Sequence, residues 1–334
     1  MSTAVPQTFG VADAVELAVV ERSGFIESRH AGSAIVLGPE GEVLASLGAP
    51  DAPVFPRSCL KPFQAITIMN AGVSLEGAQA VLATASHAGT RKHVQVVRSM
   101  LGRARIEDSA LQCPADWPGD RASRDELVRD GLGTSPLYMN CSGKHAAMLL
   151  ACAQNGWDQA TYLEPDHPLQ LAVRDTVERF TGEKPAASGV DGCGAPVYAV
   201  SLTGLARGIG RVVNSSPTSP FALYRNAGLL TAAVLANGWA LDGPGRANTL
   251  VIERLGLFAK LGAEGVMVMS APGGATVALK VLDGSLRAST IIALRLLVSV
   301  GALDAAAVDA LEPELDLAIH GGAAVVGRIA VTAV

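Results

Sequence analysis

Apolar segments broken by polar turn residues fill residues 15–48, and the last pair of them alternates. "VELAVVERSG", "SAIVLG" and "EVLASLG" read as three strands, the last two joined by a Pro-Glu-Gly turn as an antiparallel hairpin. The spacing becomes helical over 60–70, "LKPFQAITIMN", with Ser58 placed to cap the helix and Pro62 tolerated in its first turn. Helical spacing then dominates 75–240, in "EGAQAVLATAS", "TRKHVQVVRSMLGRA", "SRDELVRDGL", "GKHAAMLLACAQNG", "HPLQLAVRDTVERFTG", "APVYAVSLTGLARGIG" and "FALYRNAGLLTAAVLANG". Turn-rich segments such as "CPADWPGDR" and "VNSSPTSP" separate these helices. After residue 245 "NTLVIERLG", "EGVMVMSAPGG" and "ATVALKVLDGS" read as strands, then "RASTIIALRLLVSVGAL" as a helix and "GRIAVTAV" as a last strand. No segment recurs at a fixed period.

A chain that is β at both ends and helical between predicts one sheet built from both termini with a helical part inserted. The expected class is α/β (α+β), a single domain over 1–334. Its sheet part covers about 11–62 plus 245–334, and its helical insert about 63–244.

Composition narrows the function. At 334 residues the chain is long enough to bury roughly 75% of its unfolded surface. Forty-nine per cent apolar residues describe a globular protein, and 36 glycines with only 4% aromatics describe a core of small and aliphatic side chains. A net charge of −5 without any basic run removes the footprint of nucleic-acid binding. The N-terminal segment has no basic leader before an apolar stretch, and Arg295 interrupts the longest apolar region, so no secretory signal or membrane span is expected. The expected location is cytoplasmic. Five cysteines, an odd number, point to free thiols or metal ligands rather than a disulfide framework.

"PRSCLKPFQ" places Ser58 and Lys61 three apart, on one face of a helix whose N-terminal amides and dipole favour developing negative charge. Such a pair is a nucleophile and its base, or a helix cap beside a solvated lysine. The first reading requires the lysine to lose its proton, so burial or a neighbouring cation must lower it from ~10.4 toward ~7–8. A second lysine nearby would serve. Cys59, between the two, reads as a packed thiol. "ATASHAGT" places Ser86 in a small-residue loop with Thr84, His87 and Thr90 around it, and "FAKLGAEGVMVM" places Lys260 and Gly262 immediately before a strong strand. Penicillin-recognising serine hydrolases combine Ser-x-x-Lys, a second serine loop and Lys-Thr-Gly opening a strand. Here the second element is Ser-His-Ala and the third Lys-Leu-Gly, which sets β-lactam specificity aside and keeps two Ser-Lys pairs meeting between sheet and helices.

Three other patterns read as structural. "CSGKH" lacks the first Walker glycine, Tyr138 standing in its place. "GLARGIGR" is a helix-end glycine cluster, because no strand is expected before it. His87 and His93 lie six apart, not at the spacing of a helical metal pair.

Five segments in order, "PRSCLKPFQ", "ATASHAGT", "NCSGKHAAML", "VDGCGAPVYA" and "KLGAEGV", carry a resemblance over nearly the whole chain. The sequence resembles the rhizobial-type L-asparaginases, the third structural class of asparaginase, with a serine β-lactamase-like fold. The resemblance implies hydrolysis of L-asparagine to aspartate and ammonia through an acyl-enzyme. Ser58 with Lys61 forms the first Ser-Lys tandem and Ser86 with Lys260 the second, and Ser58 is the implied nucleophile. It also implies zinc held by Cys141, Lys144 and Cys193, and a homodimer. Spacing alone gives no metal site, since Cys-x-x-Lys with one distant cysteine supplies only two usual ligands and lysine coordinates only when neutral. A zwitterionic substrate needs a cation for its carboxylate and an acceptor for its ammonium, and Arg57, Asp191 and Glu264 beside the motifs are candidates or surface charges. Two rivals stay open: a β-lactamase-like or peptidase-like serine hydrolase of another amide or ester, and a silent amino-acid-binding protein.

Overall fold

The computed structural model describes residues 7–333. The expected N-terminal strands form as β1 (Val15–Arg22), β2 (Phe25–Leu37) and β3 (Val43–Leu47), followed by a two-residue β4 (Pro53–Val54). Ser23 and Gly24 both take positive φ, which is the two-residue turn whose twist matches the strands it joins. A 3-10 turn, Arg57–Leu60, leads into α1 (Lys61–Asn70), and α2 (Ala78–Thr84), α3 (Arg91–Ala104), α4 (Arg121–Arg129), α5 (Ser142–Asn155) and α6 (Pro168–Thr181) follow. Next come β5 (Ala187–Val190), β6 (Pro196–Ser201), α7 (Leu202–Val213), α8 (Ala222–Ala236) and α9 (Ala247–Leu255). The chain closes with β7 (Phe258–Gly262), β8 (Val266–Ser270), β9 (Thr276–Val281), α10 (Ser289–Ser299), α11 (Ala305–Leu311), β10 (Ala318–Gly321) and β11 (Ala324–Val331).

The main sheet has the order β10-β11-β1-β2-β9-β8-β7, with β3 also paired to β2. Every pairing in it is antiparallel, and N- and C-terminal strands interleave as the β-at-both-ends pattern requires. Every residue of β8 and β9 is buried, so both faces are covered, and α7 and α10 are helices that pack on these strands. Helix α1 is buried from Lys61 to Met69 and packs on α2, α5, α6 and α8, which makes it the axis of the helical part. One antiparallel sheet built from both chain ends, with helices between them, is the arrangement expected from the sequence.

Four local expectations change. Residues 195–210 are not one helix. "PVYAVS", a buried run with β-branched and aromatic residues, forms the middle strand of a small β4-β6-β5 sheet, and the Ser201 side chain caps α7 by accepting from Gly204 N at 2.8 Å. A strand therefore does precede "GLARGIGR". Its glycines nevertheless sit inside α7, and Gly208 is where Phe63 comes within 2.8 Å of a would-be Cβ, so they serve packing. "NTLVIERLG" is a helix, with Asn248, Val251 and Ile252 on its buried face and Gly256 in the left-handed conformation that ends it. Lys260 lies within β7 rather than before a strand, and α11 and β10 form where no element was expected. Among the described residues no helix is long and apolar enough to cross a membrane.

Candidate active site

Three segments far apart in the chain meet at the C-terminal end of edge strand β7. The first is the 3-10 turn carrying Ser58, which docks on β7 through Cys59, whose S–H donates to Lys260 O at 3.1 Å. Gly262 permits this approach, because a Cβ there would stand 2.5 Å from Pro56 O. The second is the loop after α2 carrying Ser86. It is fastened by three backbone bonds: Ser86 N to Leu241 O, His87 N to Asn140 O and Ala88 N to Asp242 O. Helix α2 is itself seated closely on α5, where a Cβ on Gly143 would meet Leu82 O at 2.5 Å. The third is β7 with Lys260.

The lysines converge on one hydroxyl. Lys61 Nζ donates to Ser86 Oγ at 2.9 Å and to Ala85 O at 2.6 Å, while Lys260 Nζ donates to Ser86 Oγ at 2.9 Å and to Leu261 O at 2.7 Å. The expected Ser86–Lys260 pair is present, but Lys61 reaches Ser86 rather than Ser58, three residues before it. Both lysines are essentially inaccessible to water, at 1% and 0% exposure. Burial first, and then the positive charge of Lys61, depress the Lys260 ammonium to about 7. This is the perturbation that a lysine base requires, here supplied by a partner 199 positions away in sequence.

Ser58 does not cap α1. The N-cap position is Leu60, and no side chain caps that helix. Among the described residues neither the Oγ nor the backbone N–H of Ser58 has a hydrogen-bond partner. Ser58 and Ser86 line one cleft of about 870 Å³, together with His87, Asn140, Asp242, Arg246, Asn248 and the Leu261–Gly262–Ala263 segment. Arg57, immediately before Ser58, is held in the left-handed region at φ 53°, a conformation costing about 1–2 kcal/mol for an L-residue. Burial pushes the Cys59 thiol up to about 12, so it is the inert packed thiol expected.

The three candidates for substrate charge are placed elsewhere. Arg57 Nε donates to Asp191 Oδ1 at 2.7 Å, so these two satisfy each other and tie the Ser58 turn to the loop carrying Cys193. Arg57 and Glu264 line a separate groove of about 260 Å³ with Lys280. None of Arg57, Asp191 and Glu264 lines the Ser58–Ser86 cleft. Among the charged and polar side chains that do, beside Asp116, Arg124, Arg287, Glu314 and Asp316, are Asp242, Arg246 and Asn248, which carry no sequence motif. Asn248 opens a segment read as a strand that folds as the start of α9, and Asp242 and Arg246 lie in the connection before it.

Cys141, Lys144 and Cys193 are brought together behind Asn140. Lys144 Nζ donates to Cys193 Sγ at 3.0 Å, and the Cys141 S–H has two acceptors in reach, Asn140 Oδ1 at 2.9 Å and the sulfur of Cys193. The Cys141 hydrogen bond, and then Lys144 and His145, outweigh burial and hold Cys193 as the thiolate of the pair, while that same bond keeps Cys141 protonated. Burial works against the Lys144 charge, but the sulfurs of Cys193 and Cys141 more than offset it and hold the ammonium on. Nearby, the buried His145 ring pairs its Nδ1 with the Tyr162 hydroxyl at 2.6 Å and turns its other nitrogen to the Cys193 sulfur. Two soft sulfurs and a buried amine fit a soft divalent ion, provided Lys144 gives up its proton to bind it. Among the described residues no three His, Cys, Asp or Glu side chains form a metal site, so a lysine ligand is essential to one here. His87 and His93, six apart in sequence, stack with ring centroids 5.1 Å apart, and both are held neutral chiefly by burial.

No curated protein matches the chain. Among solved structures, a Bacillus glutaminase in the presence of 4.3 M NaCl is similar at 13% identity and a TM-score of 0.43, over 80% of this chain and 90% of that one. A β-lactamase from Mycobacterium bovis is similar at 15% and 0.41, over 80% and 94%. Mglu in its glutamate form is similar at 14% and 0.40, over 81% of this chain and 61% of that one, so the chain spans under two thirds of Mglu. At these identities and scores the likeness carries no functional weight. The family described as L-asparaginase II matches residues 18–331, nearly the whole chain and every segment that builds the cleft, and the chain belongs to that family.

Proposed function

We propose that the protein is an L-asparaginase that hydrolyses L-asparagine to L-aspartate and ammonia through an ester on Ser58. The observation that carries the reading is the Ser86 hydroxyl held at 2.9 Å by two buried lysines, one of them depressed to about 7, in the cleft that also exposes Ser58. Family membership supplies the substrate class.

Backbone amides choose between the two serines. The N–H groups of Ser86, His87 and Ala88 are all spent on carbonyls, so the Ser86 loop has none to receive an oxyanion. The Ser58 N–H is free, and it opens on the same cleft that the Leu261–Gly262–Ala263 segment lines. One such donor is typically worth about 3 kcal/mol of transition-state stabilisation. Ser58 Oγ attacks the side-chain carbonyl carbon, its proton passes to Ser86 Oγ, and the Ser86 proton passes to neutral Lys260 Nζ. The charge on Lys61 steadies the transient Ser86 alkoxide. The relay runs backward to protonate the departing nitrogen, ammonia leaves, and water from the cleft cleaves the ester by the same route.

Zinc fits the Cys141, Lys144 and Cys193 set, and when bound it would supply a fixed positive charge beside the cleft in place of the Lys144 proton. The reading also includes a cytoplasmic homodimer; a monomer mass by sedimentation would remove the dimer.

The test is ammonia release from asparagine, glutamine and a penicillin side by side, with intact-mass detection of the acyl adduct. Ser58→Ala should lose both release and adduct, whereas Ser86→Ala should slow adduct formation and leave its site unchanged. Full ammonia release by Ser58→Ala would overturn the nucleophile assignment. Release from penicillin alone would point to the β-lactamase-like rival.

A further inference from the structure

One wall of the cleft is built by the segment between α8 and α9 and by the first turn of α9. Asp242 is 7% exposed, and its carboxylate receives Arg246 Nη1 at 3.0 Å and Asn248 Nδ2 at 3.2 Å. The Asp242 bond orients the Asn248 amide, since only its NH2 can donate to a carboxylate, and the Asn248 Oδ1 is left buried without a partner in a side chain 2% exposed. A buried acceptor without a donor is unfavourable, so its retention at the rim of a cleft points to a donor supplied from outside. At the same place the backbone N–H groups of Ala247, Asn248 and Thr249 have no acceptor among the described residues. They are the open first turn of α9, a nine-residue helix, where the dipole favours a carboxylate. Arg246, the N-cap residue, is half-exposed over the same spot. The wall is joined to the reacting centre, because Leu241 O and Asp242 O hold the amides of Ser86 and Ala88.

We infer that this wall is the subsite for the amino-acid head of the substrate. The α-ammonium donates to Asn248 Oδ1 and the Asp242 carboxylate, and the α-carboxylate lies on the α9 first-turn amides and Arg246. On this wall Asp242 and Arg246 are an acid and a base already paired, so both charges of a zwitterion find a counter-charge there. The side-chain amide then extends toward Ser58 and the lysines. The subsite presupposes the asparaginase reading and adds to it the residues that select an α-amino acid over a simple amide.

The experiment compares kcat/KM for ammonia release from three amides: L-asparagine, succinamic acid, which lacks the α-ammonium, and 3-aminopropanamide, which lacks the α-carboxylate. Asn248→Ala should lower the asparagine-to-succinamate ratio about 10- to 100-fold, mostly through KM, because a hydrogen bond to a charged group is lost. Asn248→Asp, which keeps an acceptor, should restore most of that ratio. Arg246→Met should instead lower the asparagine-to-aminopropanamide ratio. Ratios unchanged in all variants, or all three amides falling equally in a protein with the wild-type circular dichroism spectrum, would overturn the subsite. If the wild type releases no ammonia from asparagine, the asparaginase reading falls instead. The subsite is then read by calorimetry, in which the wild type should bind L-aspartate more tightly than succinate and Asn248→Ala should abolish the difference; equal affinities in the wild type would overturn it.

Discussion

The acid limb of the pH–rate profile tests the lysine pair directly. Lys260 is brought from an ordinary value of 10.5 to about 7. Each unit corresponds to about 1.4 kcal/mol, so the protein disfavours the charged form by roughly 5 kcal/mol. Near pH 7 about half the molecules then hold Lys260 as a free base, against roughly one in three thousand for an ordinary lysine. Ammonia release from asparagine at low substrate concentration should therefore rise about tenfold per pH unit below 7 and level off above it. The limb belongs to the coupled lysines rather than to either alone. Lys61→Met removes the second cause of the depression and leaves the first, burial, in place. Its limb should move to higher pH and stop short of the ordinary value. Lys260→Arg, a side chain that does not deprotonate in proteins, should be inactive by at least ~10²-fold at every pH. A profile flat from pH 6 to 8, or a limb that moves down in Lys61→Met, would refute the reasoning. Stability carries the same signature. The unfolded chain keeps the Lys260 proton up to 10.5 and the folded one releases it near 7, so this group's contribution rises with pH across that window and is lost as pH falls toward 7. Lys260→Met should remove that slope from denaturant titrations.

Gly262→Ala places a Cβ 2.5 Å from Pro56 O and should cost about 1–3 kcal/mol in urea unfolding while also slowing ammonia release, since Pro56 is two residues from Ser58; an unchanged midpoint and rate would mean that β7 and the turn are not pressed together. Protein purified without chelator should contain zinc by elemental analysis, near one ion per chain, and Cys193→Ala should contain none; a metal-free wild type would remove the zinc reading.

Much of the secondary structure was readable from periodicity, because amphipathic segments such as those of α3 and α6 present one apolar face whatever they pack against. The sheet at both ends followed from the hairpin pattern of β2 and β3 and from apolar runs in β8 and β9. Failures came in short buried segments, where period is uninformative: "PVYAVS" joined to a helix it only precedes, and "NTLVIERLG" taken as strand when a capping glycine closes it as α9.

Of the candidate site, the sequence determined the groups proposed to react: Ser58, Lys61, Ser86 and Lys260, in the order that Ser-Lys chemistry needs. Only the tertiary structure decided their pairing. Lys61 grips a serine 25 residues on rather than the one 3 residues back, because α1 is buried on nearly all sides and its first side chain can extend only toward the loop after α2. The depressed Lys260 likewise has no cause in its own neighbourhood of sequence, since exclusion of water and the Lys61 charge exist only once sheet and helical part close on each other. The head-group wall was hidden for the same reason, because Asn248 Oδ1 becomes an acceptor in want of a donor only when folding buries it.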